Sequence, residues 1–107
     1  MIRTLSPRET QAFLNATPDA QLIDVREPSE FAAGHVPNAK LFPLGKLQSR
    51  LDELDKSRPI VILCRSGRRA QQAAEILDKA GYRDVYVVAG GTEAWIKAGL
   101  PVTREPQ

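Results

Sequence analysis

The sequence predicts an α/β architecture, with a mainly parallel central sheet and helices on both faces. Three observations lead there. Ile60-Val61-Ile62-Leu63 and Val85-Tyr86-Val87-Val88 are short, continuous apolar runs, the mark of strands buried on both faces. Helical patterns alternate with them along the chain. The 107 residues, 42 % hydrophobic and 26 % charged, suit one soluble domain with one core. We expect residues 1–107 to form that single domain, with a core over about 4–102 and a short polar tail from Thr103 to Gln107.

The elements follow in order. Ser6-Pro7-Arg8-Glu9 opens a helix: Ser6 caps, Pro7 takes the first helical position, and Glu9 reaches back to complete a capping box. That helix should end near Asn15. Gln21 to Val25 reads as a strand. Pro28 begins a short helix through Phe31, which Gly34 should close in the left-handed conformation. Ala39 to Phe42 is a second, short strand. Leu44, Leu47, Leu51 and Leu54 recur at helical spacing and predict an amphipathic helix. After the Ile60–Leu63 strand, Ala70, Ala73, Ala74 and Leu77 mark a helix ended by Gly81. After the Val85–Val88 strand, Gly90-Gly91-Thr92 precedes a final helix carrying Trp95 and Ile96, with Thr92 as its expected cap. Gly99 and Pro101 end it.

Composition excludes several classes of function. A formal net charge of +2 gives no concentrated basic face for nucleic acid. The N-terminal Met1 to Pro7 segment has no apolar signal region, and the longest aliphatic run is far too short to span a bilayer. One cysteine allows no internal disulfide and no paired-cysteine zinc or redox site. The expectation is therefore a cytoplasmic domain with no nucleic-acid or membrane partner. Its oligomeric state leaves no trace in the sequence.

In open parallel sheets, ligands bind beyond the carboxyl ends of the strands. Three such ends stand out: Asp24-Val25-Arg26, Cys64-Arg65-Ser66-Gly67 and Gly90-Gly91. Cys64 falls at the end of a buried strand and just before a helix. The loop Cys64-Arg65-Ser66-Gly67-Arg68-Arg69 can curl so that backbone N–H groups and the helix N-terminus face the sulfur. Gly67 permits a tight curl. Each of these features favours thiolate over thiol. A merely structural cysteine would predict neutral or acidic residues at the helix start, because cations there oppose the helix dipole. Three arginines stand there instead, an arrangement that makes sense if an anion occupies the loop.

These residues resemble the rhodanese-like sulfurtransferases, over nearly the whole chain. The matching pieces are Leu22-Ile23-Asp24-Val25-Arg26 with Glu27, and Glu30-Phe31 followed by Gly34-His35-Val36-Pro37-Asn38-Ala39. Ile60 to Arg69 comes next, with the cysteine loop. Gly81-Tyr82, Val85 to Gly91, Trp95 and Gly99-Leu100-Pro101 complete the series. Their order and spacing together are specific, and the chain looks like the single-domain form of the family, a thiosulfate sulfurtransferase.

The resemblance implies that Cys64 takes the outer sulfur from a small anionic donor such as thiosulfate and holds it as a persulfide. A nucleophilic acceptor then removes it: cyanide in assays, a thiol or protein acceptor in the cell. That is covalent catalysis by a ping-pong route. It implies no metal and no organic cofactor. Arg65 would bind the anionic end of the donor, Ser66 and Gly67 would form the anion loop, and Arg69 would close it facing inward. Arg68 would face solvent or substrate. Asp24, a supporting residue at the neighbouring strand end, could pair with Arg69 or with Arg26. His35 belongs to a Gly-His-x-Pro turn that the family keeps for structure, and Trp95 reads as core. Two positions depart from the family pattern. Asn38 stands where glycine is frequent but tolerates the left-handed conformation; Ala70 stands where a small hydroxyl residue is common.

Two other readings compete. Cysteine phosphatases and arsenate reductases of related fold use a Cys-x5-Arg loop; Cys64 to Arg69 is Cys-x4-Arg, one residue shorter, with Leu63 where those enzymes commonly have histidine. A non-catalytic binding or regulatory module of the same family commonly lacks the cysteine or the loop arginine, and both are present. Mercaptopyruvate-specific relatives often carry glycine after the cysteine, so Arg65 favours thiosulfate-like donors.

Overall fold

The computed structural model describes residues 1–106. Five parallel strands form one sheet in the order β1-β5-β4-β2-β3. They are β1 (Ile2–Leu5), β2 (Gln21–Asp24), β3 (Lys40–Leu41), β4 (Ile60–Leu63) and β5 (Val85–Val88). The helices are α1 (Pro7–Ala16), α2 (Pro28–Ala33), α3 (Leu44–Leu47), α4 (Arg68–Lys79) and α5 (Gly91–Lys97). β4 is central: it pairs with β2, Leu22 opposite Val61, and with β5, Val61 opposite Tyr86. All four residues of β4 and all four of β5 are buried, as continuous apolar runs between two covered faces must be.

Alternation along the strands divides the core into two layers. Ile23, Val25, Ile60, Ile62, Cys64 and Val85 face α3 and α4. Leu22, Val61, Leu63, Tyr86 and Val88 face Phe31 of α2 and Trp95 of α5, with Phe13 and Leu14 of α1 packed beside them. The expected mainly parallel sheet with helices on both faces is therefore the observed architecture. The cap of α1 is also as expected. Ser6 Oγ accepts from the Glu9 amide at 3.1 Å, and Glu9 Oε1 accepts from the Ser6 amide at 2.8 Å. α4 buries Ala70, Ala73, Ala74 and Leu77, the four positions its spacing marks.

Several expectations need correction. β1 goes unmarked in the sequence. It is an edge strand in which Arg3 and Thr4 are exposed and Ile2 and Leu5 are half-buried, so it shows neither an apolar run nor alternation. The leucines from Leu44 to Leu54 do not form one helix: α3 gives way to a 3-10 helix, Gln48–Glu53, kinked at Arg50 (φ −119°, ψ 16°). Arg50 lies over the Phe42 ring at 4.1 Å and donates to the Leu41 carbonyl. Those contacts hold the segment against the β3 edge. Gly34 has φ 153° and ψ 134°, outside the left-handed helical region but still a positive-φ conformation that favours glycine.

The start of the polar tail is bound rather than free. His35 and Thr103 exchange two backbone hydrogen bonds of 2.8 Å, and Arg104 Nε donates to the Ala33 carbonyl. Gln107 lies outside the described residues. Asn38 does adopt the left-handed conformation, at φ 71°. His35 is structural: its ring stacks on Phe31 at 3.6 Å and its Nδ1 lies 2.8 Å from the Phe31 carbonyl oxygen. Trp95 is core, 2 % exposed, with its indole N–H on the Pro101 carbonyl at 2.7 Å. No helix among the described residues is long and apolar enough to cross a membrane.

Candidate functional site

The carboxyl ends of β2 and β4 and the start of α5 meet at one end of the sheet. Cys64 directly follows β4, and only 1 % of its surface is exposed. Arg65 and Ser66 are exposed, and Gly67 turns the chain into α4 at φ 113°, ψ −19°, a conformation that strongly favours glycine. That turn carries the Gly67 amide to 2.9 Å from Cys64 Sγ, as a donor. The sequence suggests a ring of such amides. Among the described residues, Gly67 alone donates to the sulfur. The next amides, of Arg68 and Arg69, already belong to the first turn of α4, where helical N–H groups have no partner within the helix. They point out of its N-terminus, toward the loop.

α5 clamps the loop from the other side. The Thr92 amide donates to the Cys64 carbonyl at 2.8 Å, and the Glu93 amide to the Arg65 carbonyl at 3.1 Å. Gly91 makes this approach possible. A Cβ on it would lie 2.5 Å from the Cys64 carbonyl oxygen and 2.7 Å from Arg65 backbone atoms, and its φ is 62°. The cap of α5 is Gly90, not Thr92. Thr92 sits inside the first turn, 3 % exposed, because its amide is taken by the strand end it packs on.

The arginines take distinct places. Arg65 Nε meets Glu93 Oε2 at 3.0 Å in an exposed pair, with side chains 68 % and 52 % accessible. Arg68 is exposed. Arg69 is half-buried and forks onto Glu30, with Nη1 to Oε1 at 2.7 Å and Nη2 to Oε2 at 2.9 Å. The guanidinium beside Glu30 pulls its carboxyl from the ordinary 4.5 down to about 2. Glu30 in turn raises Arg69, and the charges of Cys64 and Asp24 act in the same direction. So Arg69 closes the site through Glu30 on α2, and not through Asp24.

Asp24 pairs instead with Arg26, inside the protein. The Asp24 carboxylate accepts from Arg26 Nε and from the Arg26 amide, and Arg26 Nη2 reaches Oδ2 at 2.8 Å and the Gly34 carbonyl at 2.8 Å. Asp24 is fully buried and Arg26 is 6 % exposed. The pair ties the end of β2 to the end of α2. Beside it opens a cleft of about 840 Å³, walled by Arg26, Glu30, Arg65, Thr92, Ile96 and Val102 among others.

The structure thus gathers Cys64, Arg65, Ser66, Gly67, Arg68 and Arg69 into one loop. Asp24 and Arg26 lie at the adjacent strand end. Gly91, at one of the three strand ends marked in the sequence, completes the surroundings together with Glu30, Thr92 and Glu93, which the sequence does not single out as site residues. The acidic partners lie 39 and 28 positions from their arginines, a distance at which no local pattern links them.

Comparison with known proteins identifies the fold and the family. The rhodanese-like domain family model matches residues 6–98. A protein named sulfurtransferase from Allochromatium vinosum is 37 % identical over 102 residues, 95 % of either chain. Among solved structures, a rhodanese-related protein from Thermoplasma volcanium superposes with a TM-score of 0.88 at 27 % identity, over 96 % of this chain and 99 % of that one. A thiosulfate sulfurtransferase from Pseudomonas aeruginosa does so at 0.88 and 26 % identity, over 99 % of this chain but 21 % of the other. The chain belongs to the rhodanese-like domain family.

Proposed function

We propose that this domain is a thiosulfate sulfurtransferase working through a persulfide on Cys64. The observation that carries the reading is Cys64 Sγ placed under the Gly67 amide, at the mouth of α4 and next to Arg65. A thiolate there is hydrogen-bonded, and it lies close to the partial positive charge of the helix N-terminus. The Cys64 thiolate attacks the outer sulfur of thiosulfate. A new S–S bond forms, the old one breaks, and sulfite leaves with the bonding electron pair. Cyanide or a cellular thiolate then attacks the outer sulfur of the persulfide. The second S–S bond breaks and the Cys64 thiolate returns.

Arg65 receives the sulfonate end of the donor. Its exposed pair with Glu93 holds it by no more than about 1 kcal/mol, so an incoming anion displaces Glu93 at small cost. Arg69, fixed by Glu30, and the first-turn amides of α4 stabilise the terminal sulfur anion. Ser66 and Gly67 shape the loop, Arg68 stays at its rim, and Asp24 with Arg26 anchors the strand end below. The chemistry calls on no metal or organic cofactor, and it suits a reducing cytoplasm, where the lone thiol stays free. Intact-mass analysis tests the proposal. Excess thiosulfate should add the mass of one sulfur atom to reduced protein, and cyanide should remove it as thiocyanate. Cys64→Ser should do neither. Unchanged mass in folded, reduced protein would rule out thiosulfate as donor, and turnover retained by Cys64→Ser would rule out the persulfide.

A further inference from the structure

Cys64 poses a problem of access. It is 1 % exposed and packs in the core layer with Val25, Leu47 and Ala70, each fully buried. The 840 Å³ cleft beside the loop is walled by Arg65, Thr92 and Glu93 but not by Cys64. A nucleophile must still meet its donor, so part of this enclosure moves. The core side is close-packed and resists displacement. The outer side is the turn Arg65-Ser66-Gly67, in which Arg65 and Ser66 are exposed and Gly67 lays its amide on the sulfur.

That turn is jointed at one end and fastened at the other. Gly67, at φ 113°, has the backbone freedom of a joint. What it packs on is another glycine: a Cβ built on Gly67 would meet the Gly90 nitrogen at 3.7 Å, an ordinary contact. The fastening lies on α5. Glu93 holds Arg65 twice, by its amide on the Arg65 carbonyl at 3.1 Å and by its carboxylate on Arg65 Nε at 3.0 Å. The second contact is an exposed ion pair, so a competing anion can undo it.

We propose that Glu93 is a positioning residue that acts through Arg65 as a latch. While the pair is closed, the Arg65–Gly67 turn covers the Cys64 sulfur. An anion that takes Arg65 from Glu93 lets the turn lift at Gly67 and uncovers the sulfur. The inference rests on the reading of Cys64 as the nucleophile and adds control of access to it: the charge of the donor opens the site. No bond to sulfur forms or breaks in this step.

Iodoacetamide, a neutral alkylating reagent, tests access without any sulfur donor. Its rate with Cys64 is followed by intact mass across pH. Rates are compared at the plateau where the thiol is fully ionised, so that a change in thiol acidity does not pass for a change in access. Sulfate, which has no outer sulfur to give, is added while chloride keeps the ionic strength constant. In the wild-type protein sulfate should raise the plateau rate about three-fold, within the range an exposed ion pair supplies, and the effect should saturate. Glu93→Gln should react at the raised rate without sulfate and gain nothing from it, and Arg65→Gln should behave in the same way. A merely structural Glu93 would instead lower the melting temperature and leave the sulfate response intact. Sulfate that slows alkylation of the wild-type protein or leaves it unchanged would overturn the latch. So would Glu93→Gln reacting at the wild-type rate, or a sulfate response retained in either variant. Failure of the sulfur-transfer reading shows separately, as absence of thiocyanate from thiosulfate and cyanide in the wild-type protein.

Discussion

Glu30→Gln isolates the charge that holds Arg69. Gln keeps the oxygen that accepts from the Glu27 amide at 2.9 Å, so the start of α2 stays capped while the negative charge disappears. A carboxyl lowered from 4.5 to about 2 corresponds to about 3 kcal/mol of favourable interaction. The two side chains are 31 % and 29 % exposed, and screening by water brings the net to about 1–2 kcal/mol. For a domain of this size that is a fall of roughly 5–10 °C in melting temperature at pH 7. The sign of the pH dependence follows from the direction of the shift. Because the folded carboxyl titrates lower than the unfolded one, its contribution is complete above the unfolded value of 4.5. It fades as pH falls from there toward 2. Thermal melts of both proteins from pH 7 to pH 3 measure this. The two curves should stay a constant distance apart down to about pH 5 and converge below pH 4. A gap that persists undiminished at pH 3 would refute the electrostatic account and point to lost packing around α2.

Other outcomes follow from the same geometry. Gly91→Ala should destabilise the fold by about 3 kcal/mol or more and lower thiocyanate formation, since the new methyl meets the Cys64 and Arg65 backbone; denaturant titration and a rate assay check both. Asp24→Asn leaves the Arg26 charge buried without its partner and should cost about 3–5 kcal/mol in denaturant unfolding. Arg65→Ala should raise the KM for thiosulfate about ten-fold, with Arg68→Ala the milder of the two in steady-state kinetics; the reverse order would mean that the loop presents its other side to the donor. Glu93→Gln, which frees Arg65, should lower that KM, and an increase would show that the pair orients Arg65 productively.

Much of the fold is written in local pattern. The two apolar strands, the capping box at Ser6 and Glu9, and the alanine face of α4 each follow from residues within a few positions of one another. Their order fixes a parallel sheet and puts Cys64 at a strand end. What escapes is whatever depends on partners distant in the chain. β1 is a strand because β5 offers it a ladder, Ile2 opposite Val85, and its own residues carry no sign of that. The break at Arg50 answers to Phe42 and Leu41 rather than to leucine spacing. Glu30 stands in the sequence as an ordinary first-turn carboxylate; only the approach of α2 to the loop makes it the partner of Arg69. Thr92 has the chemistry of a helix cap, yet the cap falls two residues earlier, where Gly90 can turn left-handed at φ 71°.

The position of β4 at the centre of an all-parallel sheet also shapes the life of the chain before it is folded. Parallel neighbours can meet only after a crossover has been laid down, so such sheets assemble slowly and leave their inner strands uncovered meanwhile. Ile60–Leu63 and Val85–Val88 are the kind of segment that seeks an intermolecular partner in that interval. β4 has Arg58 and Pro59 before it and Arg65 after it, and β5 has Arg83 and Asp84 before it. Residues placed so act as gatekeepers against aggregation. Arg65 would then serve twice, first keeping a nascent strand in solution and later, once the sheet has closed, meeting the anion at its end.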